Sequence, residues 1–214
     1  MNTLRLAVTL AAVLGAAAGC ASPERSRTLN DPAVPAQVIA QQVCSNCHGI
    51  DGNSVSPNFP RLAAQQPAYL VGQLTGFRDH HRSDPAGFEY MWGLSRRLTD
   101  GQIKGLADYF SAQKPARNAP GNATLAALGA EVFAHGVPAK EIPPCQGCHG
   151  NHAQGNGSFP RLAGQHADYI EKQLLVFQRT DERPEGAIMK TVAHLLTREN
   201  MAAVANYLQG LPPE

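Results

Sequence analysis

Apolar residues in this chain recur at helical spacing and never settle into the alternation of a strand. Ile103, Leu106, Ala107 and Phe110 stand at i, i+3, i+4 and i+7, which puts them on one face of a helix. Thr99 precedes the stripe and Gln102 comes three residues later, the pattern of a capping box. Near the C-terminus Thr197 takes the capping position, and Met201, Val204, Ala205 and Leu208 repeat the stripe. Segments 37–47 and 124–135 predict first helices, and 68–77 and 167–177 predict middle helices. Pro115, Pro120, Gly121 and Asn122 mark a linker. In the second half, Pro138, Pro143 and Pro144 separate the first helix from the cysteine-containing segment after it. No alternating run of β-branched residues predicts a strand. The expected fold class is all-α.

The pattern is one unit used twice. Phe59-Pro60-Arg61-Leu62-Ala63 returns 100 residues later as Phe159-Pro160-Arg161-Leu162-Ala163, and the same offset relates Gln65 to Gln165, Tyr69 to Tyr169, Gln73 to Gln173 and Phe77 to Phe177. An offset of 98 relates Met91 to Met189 and Thr99 to Thr197. The reading is a leader over 1–19, a tether over 20–34, a first domain over 35–114, a linker over 115–122 and a second domain over 123–214. A unit of roughly 90 residues buries a limited share of its surface and gains from a covalently held apolar group in its core.

The candidate for that group comes from Cys44-Ser45-Asn46-Cys47-His48 and Cys145-Gln146-Gly147-Cys148-His149. C-x-x-C-H is the attachment signature of c-type haem. The thiols of Cys44, Cys47, Cys145 and Cys148 add across the haem vinyl groups, and His48 and His149 each ligate an iron from one face. A zinc site would use the four Cys without needing a His after each pair. A thioredoxin-like pair expects a preceding strand and no adjacent His. The chain holds four Met. Met91 and Met189 each stand eight residues before a capping Thr, in segments that read as irregular, where a loop can bring sulfur over the other haem face. They are the candidate distal ligands; core filling is the bland role. His81 or His194 is the alternative ligand. Met201, inside a helical stripe, reads as core.

Charge narrows the partners. The chain has 18 Lys+Arg and 17 Asp+Glu, formally +1, too little for a polyanion such as nucleic acid. Arg5 followed by the apolar run 6–18 reads as a secretory signal. Cys20, directly after Ala17-Ala18-Gly19, reads as the acylated first residue of a lipoprotein; cleavage near Ala18 with a spare thiol is the alternative. The polar, Pro-containing stretch after it reads as a flexible tether.

The two C-x-x-C-H-G motifs, the FPRLAAQ and FPRLAGQ segments, the Tyr-then-Gln-Leu pattern and the two late Met together resemble the dihaem cytochrome c4 family. The resemblance covers essentially 33–211. It implies two class I cytochrome c domains, each a few helices around one haem, facing each other with approximate two-fold symmetry. It also implies that the carbonyls of Pro60 and Pro160 accept a hydrogen bond from the proximal His. The neighbouring Arg61 and Arg161 could approach haem propionates; surface salt bridges are the bland role. The function expected is that of an electron carrier rather than an enzyme. It would pass single electrons in a periplasmic respiratory chain from a quinol-oxidising complex to a terminal oxidase, anchored to the membrane by lipid. The alternatives are the haem subunit of a periplasmic dehydrogenase, such as a flavin-dependent sulfide oxidiser, and a dihaem peroxidase or thiosulfate dehydrogenase.

Overall fold

The structure, a computed structural model, describes residues 23–213. The leader, Cys20 and the start of the tether lie outside the described residues. The first half opens with a helical run over 36–48 (α1), in which Ala36–Ile39 and Ser45–His48 flank a π-helical turn at Ala40–Cys44. Pro67–Arg78 (α2), a short run over 87–95 (α3) and Asp100–Ser111 (α4) come next. The second half repeats this order with Ala123–His135 (α5), Gln146–His149 (α6), Ala167–Arg179 (α7), Ala187–Ala193 (α8) and Arg198–Gly210 (α9). Together α5 and α6 correspond to α1, because the Pro-containing insertion divides one helix into two. Among the described residues the extended pairings are two isolated bridges, Val137–Ile142 and Asn156–Phe159, so the fold is all-α.

The predicted capping box forms at Thr99, and the predicted cap at Thr197 completes a second one. The Gln102 N–H donates to Thr99 Oγ1 at 3.1 Å and the Thr99 N–H to Gln102 Oε1 at 3.0 Å. Thr197 and Asn200 make the equivalent pair at 3.1 and 3.3 Å. Each cap satisfies N–H groups that the first helical turn leaves without a partner. The stripes these caps start become the cores: Ile103, Leu106 and Phe110 in one half, Met201, Val204 and Leu208 in the other. In each half the last helix crosses the first at a glycine. A Cβ at Gly105 of α4 would come 2.6 Å from the Ala36 Cβ of α1, and one at Gly129 of α5 would run into the Ala203 carbonyl of α9. The glycine is thus on the last helix in one half and on the first helix in the other.

Two connecting segments are more ordered than their composition predicts. Val34, within the stretch read as tether, is buried in the first core and Leu29 packs against it. Gln102 Nε2 donates to the carbonyls of Asp31 and Val34, each at 3.0 Å. Residues 29–34 therefore belong to the first half, held by a cap residue whose second task no local pattern reveals. The linker is likewise fastened along its length. The Ala116 N–H donates to Asn53 Oδ1 at 2.7 Å, Arg61 Nη1 to the Ala116 carbonyl at 2.9 Å, and Gln209 Nε2 to the Ala119 carbonyl at 3.2 Å.

The halves meet through reciprocal bonds. The Arg61 N–H donates to Gln165 Oε1 and Gln165 Nε2 to the Arg61 carbonyl, both at 2.9 Å. The Arg161 N–H and Gln65 make the mirror pair at 2.6 and 3.0 Å. Farther out, Gln66 Nε2 donates to the Gln154 carbonyl and His166 Nε2 contacts the Ser54 carbonyl, each at 2.9 Å. The repeated glutamines of the sequence therefore hold the two units together about an approximate two-fold axis.

Candidate haem sites and the junction between them

His48 ends α1 and His149 ends α6. The next residues, Gly49 and Gly150, take φ of 79° and 82°, a backbone conformation that suits glycine, and turn the chain away so that the ring stays at the helix end. The FPRLA segment then folds back. In the first half the Gly52 carbonyl accepts from the Leu62 and Ala63 N–H groups at 2.8 and 3.2 Å; in the second, the Ala153 carbonyl accepts from Leu162 and Ala163 at 2.8 and 3.1 Å. This return brings the Pro60 carbonyl to 2.9 Å from His48 Nδ1 and the Pro160 carbonyl to 2.9 Å from His149 Nδ1.

That contact sets the electrostatics of each site. Burial lowers the pKa of both His48 and His149, and the proline carbonyl offsets this only in part. Each ring is neutral, keeps its proton on Nδ1 to donate to the carbonyl, and presents Nε2 as a lone pair. A neutral imidazole fixed this way is a ligand for iron. Cys44, Cys47, Cys145 and Cys148 form no disulfide with one another. Burial pushes Cys44 up to about 12 and Cys145 up to about 11, so both stay protonated until they react. Apolar rings wall each histidine: Phe59 stands edge-on to His48 at 6.2 Å with Tyr90 beyond it, and Phe159 edge-on to His149 at 6.3 Å. Two thiols one turn apart, a neutral imidazole and aromatic walls fit a covalently attached haem. Among the described residues no three of His, Cys, Asp and Glu gather as a metal cluster, so the zinc reading has no ligand set.

The two Met lie on helical turns, not in the irregular segments expected. Met91 closes the π-helical turn Gly87–Met91 in α3, and Met189 lies in α8, packed against the second core. These turns are too short to show a period in sequence. His81 and His194 are exposed. His166 is the exception among the other histidines, buried at the junction rather than facing solvent. Arg61 bonds the Ala116 and Ser54 carbonyls, and Arg161 is buried. Ala64 and Gly164, which differ between the copies, share a left-handed backbone with φ of 54° and 75°.

Sequence reasoning missed one group. Arg82, Asp84, Arg183, Gln73 and Gln173 are all buried and join across the junction, with Tyr69 bonded to Arg183. The segments holding Arg82, Asp84 and Arg183 differ between the copies and read as distinct outer surfaces. Their position at the junction comes from pairing of the two units. The matched spacing of Gln73 with Gln173 and of Tyr69 with Tyr169 was the available signal.

Comparison with known proteins agrees with this geometry. The cytochrome c family model matches residues 33–114 and again 126–212. The chain is 38% identical over 190 residues to cytochrome c-552 of Acidithiobacillus ferridurans, covering 88% of this chain and 82% of that one. It is 37% identical to cytochrome c4 of Azotobacter vinelandii, covering 79% and 84%. It is 36% identical to a thiosulfate dehydrogenase electron acceptor of Thiomonas intermedia, covering 79% and 78%. The crystal structure of reduced recombinant cytochrome c4 from Pseudomonas stutzeri superposes with a TM-score of 0.74 at 35% identity, over 86% of this chain and 100% of that one. Two such domains bind two c-type haems covalently, and the protein is an electron carrier rather than an enzyme. From its twice-matched domain and its likeness over most of its length, the chain belongs to the cytochrome c family, as a tandem, dihaem member of the cytochrome c4 kind.

Proposed function

We propose that the chain passes single electrons within a periplasmic respiratory chain, from a quinol-oxidising complex to a terminal oxidase. One haem would be held by Cys44 and Cys47 with His48 and Met91 as axial ligands, the other by Cys145 and Cys148 with His149 and Met189. The observation that carries this is the twin His–Pro contact, His48 to Pro60 and His149 to Pro160, at 2.9 Å each. Each contact fixes the ring and strengthens Nε2 as a donor. Bound haem supplies reversible one-electron chemistry, and Met ligation favours a low-spin carrier of relatively high potential. The chain's own contribution is to hold both axial ligands in place so that the sites need little rearrangement on electron uptake.

The oxidised protein should show the weak red absorption band of sulfur-to-iron ligation, and Met91→Ala and Met189→Ala should each remove about half of it. An unchanged band in both variants would reject these two ligands. The likeness to a thiosulfate dehydrogenase electron acceptor favours a second reading, in which the donor is a periplasmic dehydrogenase. Stopped-flow reduction by a quinol-oxidising complex and by a thiosulfate dehydrogenase separates the two. The lipid anchor at Cys20 has its own test: Cys20→Ser should move the protein from membranes to the soluble periplasmic fraction, or leave its signal uncleaved, with the haem spectrum intact.

A further inference from the structure

The junction between the haem domains is nearly symmetric in its cations and asymmetric in its acids. Arg82 lies over the Phe77 ring at 4.4 Å and Arg183 over the Phe177 ring at 4.5 Å. Each guanidinium donates to both central amides: Arg82 to Gln73 Oε1 at 2.5 Å and Gln173 Oε1 at 3.3 Å, Arg183 to Gln173 Oε1 at 2.6 Å and Gln73 Oε1 at 2.8 Å. The acids do not match. The Asp84 side chain is 0% exposed, accepts from Arg82 Nε at 2.8 Å and Nη2 at 3.3 Å, and reaches across to Gln173 Nε2 at 3.4 Å. Its counterpart Glu185 is 28% exposed and accepts from Arg183 Nε at 2.9 Å.

We propose that Asp84 is the charge that makes the two haem sites inequivalent. The inference rests on the assignment of one haem to each C-x-x-C-H motif. Uptake of an electron adds one negative charge to a site, so a nearby anion disfavours it and lowers the reduction potential. Water and salt screen an exposed anion but act weakly on a buried one. The matched arginines bear similarly on both domains. Glu185 is partly in solvent. Asp84 remains as a desolvated negative charge with no equal on the other side. Burial alone would raise its carboxyl pKa, but the hydrogen bonds and charge of Arg82, with Arg183 behind, outweigh this and hold it below the ordinary carboxylate value. It is therefore ionised throughout the working pH range. Asp84 touches neither candidate iron ligand, so it acts by tuning the sites.

The test is a spectroscopic redox titration of the full haem-loaded protein. Wild type should titrate in two steps or one broadened step. The separation should persist as ionic strength rises to about 1 M, where screening acts over roughly 3 Å. Asp84→Asn should move the titration to higher potential and change the separation, and Glu185→Gln should move it less. Asp84→Glu keeps the charge while disturbing the geometry, so it should stay near wild type. The proposal is overturned by an unshifted Asp84→Asn, an equal shift in Glu185→Gln, or an Asp84→Glu that behaves like Asp84→Asn. A single sharp wild-type step, or a separation that collapses in salt, overturns it as well. If Asp84→Asn does not accumulate, the salt series on wild type decides alone. Failure of the haem assignment would look different: fewer than two haems per chain in the starting spectrum.

Discussion

Gln66 and His166 occupy matching positions and make matching contacts across the junction, but only one of them titrates. Burial lowers the His166 pKa below its ordinary 6.5, with the Ser54 carbonyl offsetting part of the effect. The unfolded chain therefore takes up a proton near 6.5 that the folded protein refuses. The stabilising contribution is present above 6.5, is lost progressively as pH falls toward the lower folded-state value, and falls no further below it. His166→Gln copies the other half and keeps a donor for Ser54. The thermal midpoint of the haem-loaded variant should fall less than that of wild type between about pH 7 and pH 5. Equal losses would show that His166 is not the acid-sensitive group. At this scale legibility was uneven. His48 and His149 stand out because the chemistry needs them directly after the cysteines. Arg82, Asp84 and Arg183 do not, because the partners that bury them at the junction, those in the other half, are roughly 90 to 110 residues away.

Helices announced themselves in proportion to their length and caps. α4 and α9 were legible from one capping residue and one stripe each, since a buried face and a fixed start leave little freedom. α3 and α8 were not, being short turns whose helical state depends on what they cover. The closest helix crossings were invisible as well, because Gly105 and Gly129 read only as weak helix formers. Each crossing has one position that tolerates no methyl. Gly105→Ala should destabilise the protein by about 1–3 kcal/mol through overpacking against Ala36. The double variant Ala36→Gly/Gly105→Ala moves the glycine to the first helix, as in the second half, and should recover most of that loss. Thermal unfolding of the two single variants and the double variant forms a cycle. The absence of coupling within it would mean that the Ala36 contact does not limit the approach.

At the scale of the whole molecule, two domains, a fastened linker and a buried junction behave as one body. The linker bonds and the reciprocal Gln65 and Gln165 contacts hold the candidate sites at a fixed separation, which favours rapid internal electron transfer over independent shuttling. The separately produced domains should therefore each lose part of the full protein's rate with either the donor or the acceptor. If each domain alone reproduces both rates, transfer between the two sites gives no advantage and the duplication serves stability or storage.

The inverted glycine has a consequence beyond stability. A chain with two similar halves risks pairing the first helix of one with the last helix of the other while it folds, and tandem repeats commonly misassemble in this way. Here the wrong pairings are marked. Ala36 against Ala203 places a methyl where that crossing tolerates none, and Gly129 against Gly105 leaves a gap on both sides. Each half thus rejects the other's helices, a discrimination built from clash and void rather than from added attraction. Ala36→Gly/Gly105→Ala erases the distinction while leaving the native crossing intact, so it should refold from denaturant in lower yield and with more exchanged dimers than its stability would suggest. Duplication alone gives a chain two copies of the same instructions, and the side of the crossing on which the glycine sits tells it which copy to read.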